Sequence, residues 1–230
     1  MSLRYPFITL AALCLAGSAA AGPVQTPWAV SGPDDTAAVA AAALSGWYAS
    51  ADSYEDTVEL RDINQSLVRT ITKAEISALL PWMVLDGGTD GPNALAFTDS
   101  GRLLFIGVHD AAPATDGQGS DAILRYDTQS NQLWVFARLE LSASDNPWPH
   151  PSLAHFKGRL YAGVPGGISV YDARMNLPFG GLLYFATGTP GAMVSGIAID
   201  RQQNTLYAAW NNTIHRATIG ASSLPFVSVG

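Results

Sequence analysis

The chain has 230 residues, 48% of them hydrophobic and only 13% charged, with a formal net charge of −7. Its only lysines are Lys73 and Lys157, so it offers no basic face to neutralise phosphates, which argues against nucleic acid as a partner. After residue 22 no apolar run reaches the ~20 residues of a helical membrane span. The one cysteine, Cys14, lies near the N-terminus, so removal of residues 1–21 would leave no disulfide, thiolate nucleophile or Cys-ligated metal.

The N-terminal segment has the pattern of an export signal. Arg4 supplies the positive start, Phe7 to Ala16 form a short apolar run, and Ala19-Ala20-Ala21 give small residues for cleavage before Gly22. The run is too short to cross a bilayer core of ~30 Å as a helix. Leu13 beside Cys14 does not suit a lipidation site. The expectation is a signal peptide over 1–21, an extension over 22–37, and an exported product, periplasmic or extracellular.

Four strand-rich units follow. The first, at about 38–72, has apolar runs at Val39 to Leu44, Gly46 to Ala49, Thr57 to Asp62 and Ser66 to Ile71. Thr72-Lys73-Ala74-Glu75 then reads as a capping box; a short helix to Leu80 and a continued outer strand are both open readings. The second unit, at about 93–141, runs through Asn93 to Phe97, a turn at Asp99-Ser100-Gly101, a strand ending at Gly107, then Ala122 to Asp127 and Leu133 to Leu139. The third, at about 152–187, repeats this with Pro151 to Phe156, Lys157 to Gly163, Ile168 to Asp172 and Leu182 to Ala186. The fourth, at about 195–229, has Ser195 to Asp200, Gln203 to Ala209, Thr213 to Arg216 and Phe226 to Val229.

Asp172 follows Asp127 by 45 residues, and Arg216 follows Asp172 by 44. Four short strands in ~45 residues is the size of one propeller blade. The predicted fold class is therefore all-β: a β-propeller domain over 38–230 with about four readable four-stranded blades. A compact four-bladed ring and part of a larger propeller both fit that count. Small residues closing the second strands, such as Gly107, Gly163 and Ala209, let neighbouring backbones approach. Asp62, Asp127 and Asp172 recur after the third strand. Recurrence in every unit points to a turn role, because one active site has no use for the same residue in each blade.

Pro92-Asn93-Ala94-Leu95-Ala96-Phe97 with Asp99-Ser100-Gly101-Arg102-Leu103, and Arg125-Tyr126-Asp127, resemble the repeats of NHL and YVTN-type β-propellers. They resemble the gluconolactonase-like group more weakly. That second resemblance implies a divalent cation at the channel mouth, with Asn93 as one ligand, and a metal-dependent lactonase or esterase activity.

In a propeller, the loops leading into the first strands share a face with the loops joining second and third strands. This groups Asp86, Asp90 and Asn93 with His109, Asp110, Asp116 and Asp121, and with Asp145, Asn146, Trp148, His150, Ser195, Trp210 and Asn211. The second unit carries about a dozen extra residues between His109 and Asp121, and long loops on rigid scaffolds commonly carry binding sites. The expected ligand contacts are His109, Asp110, Trp148, His150, Trp210 and Asn211. Asn93, Asp116 and Asp121 are candidate ligands for Ca²⁺ or another divalent cation, since hard cations take oxygen donors. His155 and His215 fall within strands and read as packed. No Gly-x-Ser-x-Gly elbow or phosphate-binding glycine loop appears, and no catalytic residue is assigned. The expected function is binding of a small molecule or protein on the loop face, with the metal-dependent hydrolase as the alternative.

Overall fold

Runs of Val, Ile, Leu, Tyr and Phe fit a pleated, buried surface, and Asp, Asn and Gly between them reverse the chain. They fold accordingly. A computed structural model describes residues 36–42, 44–85, 90–110, 121–139, 152–164, 166–174, 181–187, 194, 196–210, 212–220 and 223–229; residues 36, 37 and 181–187 are described by backbone alone. All lie within one unit, Gly32–Gly230.

The first sheet holds β1 (Thr36–Ala42), β2 (Trp47–Asp52), β3 (Thr57–Arg61) and β4 (Leu67–Ile71). The second holds β5 (Gly91–Phe97), β6 (Leu103–His109), β7 (Ala122–Asp127) and β8 (Gln132–Arg138). The third holds β9 (Ser152–Phe156), β10 (Arg159–Val164), β11 (Gly167–Asp172) and β12 (Gly181–Thr187). The fourth holds β13 (Gly196–Asp200), β14 (Thr205–Trp210), β15 (Thr213–Thr218) and β16 (Val227–Val229). Each is an antiparallel meander whose strands neighbour one another in chain order, as the repeat predicts. After β4 the chain enters α1 (Lys73–Leu79) rather than extending the outer strand. Thr72 and Glu75 form the capping box reciprocally: the Glu75 carboxylate accepts from the Thr72 N–H at 3.1 Å, and the Thr72 hydroxyl from the Glu75 N–H at 3.4 Å.

The recurring aspartates are turn residues. Asp62 Oδ1 accepts the N–H groups of Asn64 and Ser66 at 2.8 and 2.9 Å. Asp127 Oδ1 accepts those of Gln129 and Ser130 at 2.8 and 3.3 Å, and Asp172 Oδ1 that of Arg174 at 3.0 Å. The Asp62 and Asp127 carboxylates close the turns that lead into β4 and β8, and Asp172 holds the first residues after β11.

The sheets pack face to face in chain order: β1 and β2 against β5, β5 against β9, and β9 against β13. Three apolar cores fill the gaps. Val58, Leu60 and Ile71 meet Leu104, Ile106 and Leu124, with Ile76 and Leu80 of α1 joining them. Phe105, Ile123 and Phe136 meet Leu160, Ala162 and Tyr171. Tyr161, Ile168 and Val170 meet Leu206, Ala208 and Trp210. Gly163 lies where close approach is needed, since a Cβ there would sit 2.3 Å from Ser152 Oγ and 2.8 Å from Val194 Cγ1.

Inner and outer sheets differ in burial. All six residues of β7 are buried, so the second sheet is covered on both faces. In β14, buried residues alternate with half-buried ones, and most of β15 alternates between half-buried and exposed. Among the described residues, the fourth sheet makes no contact with the first comparable to those between successive sheets.

Candidate functional site

The β6–β7 connection is built from the strand ends upward. β6 is buried along nearly its whole length, so it delivers His109 into a dry position opposite Gly91 of β5. Asp110 follows, and the chain returns at Asp121, one residue before β7. All three side chains are buried, each about 2% exposed. Asp121 Oδ1 lies 2.8 Å from His109 Nδ1 and accepts the Asp110 N–H at 3.2 Å. The Asp121 carbonyl accepts the Leu139 N–H at 2.8 Å, and Asp110 Oδ2 accepts the Val84 N–H at 3.0 Å. The two ends of the loop are thus tied to each other, to the outer strand, and to the segment after α1. Burial pushes the Asp121 carboxyl above the usual carboxylate range, while the hydrogen bond and charge of His109 pull it down.

A second buried carboxylate lies in the β2–β3 turn of the first sheet. Asp56 is 0% exposed and pairs with Lys73 Nζ at 2.7 Å. It packs on Gly91, where a Cβ would come within 2.1 Å of Asp56 Oδ1 and where φ is +101°, so both space and backbone require glycine. Sequence reasoning missed this group; the sole trace was that Lys73, one of only two lysines, sits at the start of α1.

The expected site residues fare differently. His109, Asp110 and Asp121 come together, but beneath the surface, bonded to one another. Asn93 is half-buried and is the extra residue of a bulge: Pro92 pairs with Val108 and Ala94 with Gly107. Bulges re-aim side chains, often beside binding sites. Trp210 is buried; its ring stacks on His215 at 3.8 Å and meets the edge of Phe226 at 4.9 Å, so it serves packing in the fourth sheet. Asp90 is buried at the start of β5. Asp86, Asp116, Asp145, Asn146, Trp148, His150, Ser195 and Asn211 lie outside the described residues.

As for a cation, the described donors do not assemble the set it needs. Asp121 already serves His109 and Asp110, and among the described residues no group of three His, Cys, Asp or Glu side chains is placed to hold a metal ion.

His155, in β9, is packed as expected and stacks on Phe105 with ring centroids 6.4 Å apart. Its Nδ1 lies 3.9 Å from Asp99, which pairs with Arg201, and Arg201 donates to the His155 carbonyl at 3.1 Å. The opposite face is thus stapled across three sheets. Burial holds the imidazole below its usual pKa, with Asp99 opposing. An unfolded histidine titrates near ~6.5, so the stability this group gives is complete above ~6.5 and falls as pH drops below it. We expect the melting temperature to decline between about pH 7.5 and pH 5.5, and His155→Leu to flatten that slope; an unchanged slope in the variant would assign the decline to other groups.

The geometry defines a propeller-type repeat: four four-stranded antiparallel sheets packed in sequence. No known family profile matches the chain, and no curated protein matches its sequence. Solved structures do match in fold. The crystal structure of RRP9 WD40 repeats superposes with a TM-score of 0.58 at 15% identity, over 86% of this chain and 52% of that one. The structure of U3-55K gives 0.58 at 15%, over 85% and 52%. Hydrazine synthase of Kuenenia stuttgartiensis gives 0.56 at 12%, over 91% and 53%. At such identities the likeness is one of fold, of WD40 and propeller type. The chain spans about half the length of the chains it matches.

Proposed function

We propose that this chain is an exported propeller-type binding module that takes a protein partner on the face carrying the β6–β7 loop. The observation that carries this reading is the buried His109–Asp121–Asp110 base. A ten-residue insertion, 111–120, is held at both ends by buried hydrogen bonds on a rigid sheet, which is how a scaffold presents a loop for recognition. Buried polar groups are costly unless satisfied, so this base reads as a device for positioning the loop. Export rests on residues 1–21 and predicts a mature chain that starts at Gly22.

The second reading, a metal-dependent hydrolase, has one observation in its favour: the bulge that holds Asn93. Melting with millimolar calcium or zinc separates the two. A tight site raises the melting temperature by mass action, and no shift would count against the hydrolase.

The binding reading is tested by replacing 111–120 with a short Gly-Ser link while keeping Asp110 and Asp121. Cross-linked capture from the exported fraction should lose its specific partner, with the melting temperature near that of the unaltered chain. Recovery of the same partner by both proteins would place recognition elsewhere.

A further inference from the structure

The β3–β4 turn carries a motif that the binding face does not use. Asn64-Gln65-Ser66 has the pattern Asn-x-Ser, with x other than proline, that marks an acceptor of N-linked sugar in exported chains. The turn is held by its backbone. Asp62 Oδ1 accepts the Asn64 and Ser66 N–H groups, the Asp62 carbonyl accepts the Gln65 N–H at 2.9 Å, and Gln65 reverses the chain at φ +64°. Arg61 Nη1 donates to the Gln65 carbonyl at 3.0 Å. Among the described residues, the Asn64 amide group and the Ser66 hydroxyl take no hydrogen bond, and both residues are exposed. The two groups that acceptor chemistry needs are therefore held out to solvent on a fixed turn.

The repeat shows that this position stays open when sheets pack on both sides. Asn64 stands two residues after its turn aspartate and donates its N–H to it. Gln129 does the same with Asp127 in the second sheet, and Arg174 with Asp172 in the third. Those two sheets each have a sheet on either side, yet Gln129 and Arg174 are exposed. The turn also lies at the opposite end of its sheet from the connection that corresponds to β6–β7, so a bulky group on it leaves the proposed binding face clear. Asn211-Asn212-Thr213 repeats the pattern, but Asn211 lies outside the described residues and Thr213 is half-buried in β15.

We propose that Asn64 is a modification site, the acceptor of an N-linked oligosaccharide during export; this rests on the export reading above. The donor class is an oligosaccharide carried on a polyprenyl diphosphate. The Asn64 amide nitrogen forms a bond to C1 of the first sugar, the C1–O bond to the diphosphate breaks, and the amide proton leaves with the diphosphate. The Ser66 hydroxyl is the group by which a transferase recognises the acceptor. The product is a bulky, solubilising surface group.

Peptide mass spectrometry of the full chain, recovered from the cells that make it, tests this. Trypsin cuts after Arg61 and Arg69, so the peptide Asp62–Arg69 separates this motif from Asn211. Most copies of that peptide should carry the added mass of a sugar chain beginning with an N-acetylhexosamine. Asn64→Gln and Ser66→Ala should each abolish the added mass, and Ser66→Thr, which keeps the hydroxyl, should retain it. All three should fold like the unaltered chain, because neither side chain is engaged. The same digest reads the N-terminus. A chain that starts at Gly22 with a bare Asp62–Arg69 peptide overturns the proposal and leaves export standing. A bare peptide on a chain that retains residues 1–21 overturns both. Added mass that survives Ser66→Ala also overturns the proposal, since it would not be acceptor chemistry of this motif.

Discussion

Replacing Asp121 by alanine is expected to cost about 2–6 kcal/mol of folding stability, since two buried groups lose their hydrogen-bond partner at about 1–3 kcal/mol each. The side chain is buried, and His109 Nδ1 and the Asp110 N–H both converge on its Oδ1. Alanine removes that acceptor and leaves both buried groups without it. Asp121→Asn separates charge from hydrogen bonding. Burial raises the Asp121 pKa, which means the ionised form is disfavoured there, so an uncharged amide with an acceptor oxygen should recover more than half of the loss. For the same reason the stability this carboxyl gives is fullest at low pH and is lost as pH rises through its raised value. Urea denaturation of both variants reads the difference. A loss below about 1 kcal/mol for alanine would mean the base does not hold the loop.

The second large effect lies in the core between the second and third sheets. Phe105 is 0% exposed and meets Phe136 edge to face at 5.0 Å and His155 in parallel at 6.4 Å. Phe105→Ala should cost about 3–5 kcal/mol, the range for emptying a buried aromatic site. Against a typical total of 5–15 kcal/mol, that brings a domain of ordinary stability close to unfolding at 25 °C. Phe105→Leu keeps most of the volume and should cost much less. The comparison also separates packing within a sheet from packing between sheets, since Phe105 points at the neighbouring sheet. Equal, small losses in both variants would mean that the third sheet is not packed there.

The fourfold meander was legible because its signals are local. Apolar runs, turn aspartates and the spacing near 45 residues all act within one unit, and the capping box at Thr72 needs only four consecutive residues. The strand sites of His155 and His215 followed from the same alignment. What could not be read was long-range. His109 and Asp110 looked like loop-surface residues by position, yet Asp121, eleven residues on from Asp110, pulls them beneath the surface. Trp210 looked like a loop-face aromatic because it ends a strand, but the stack with His215 and Phe226 depends on two later segments. The Asp56–Lys73–Gly91 contact joins a turn, a helix start and the next sheet; no periodicity encodes such a meeting. The bulge at Asn93 adds one residue to β5, a change invisible to an alternation pattern that is apolar on both faces. Export and the partner itself rest on residues 1–21 and on loop segments outside the described strands, and they stand as proposals.

Native-state hydrogen exchange on the whole chain tests the braced loop base most directly. If the His109–Asp121–Asp110 cluster is an integral part of the scaffold, the amides of Asp110, Val84 and Leu139 should exchange only through openings close in free energy to global unfolding, like those of β6 and β7. Exchange of these three amides at the rate of exposed loops, while β6 and β7 stay protected, would contradict it.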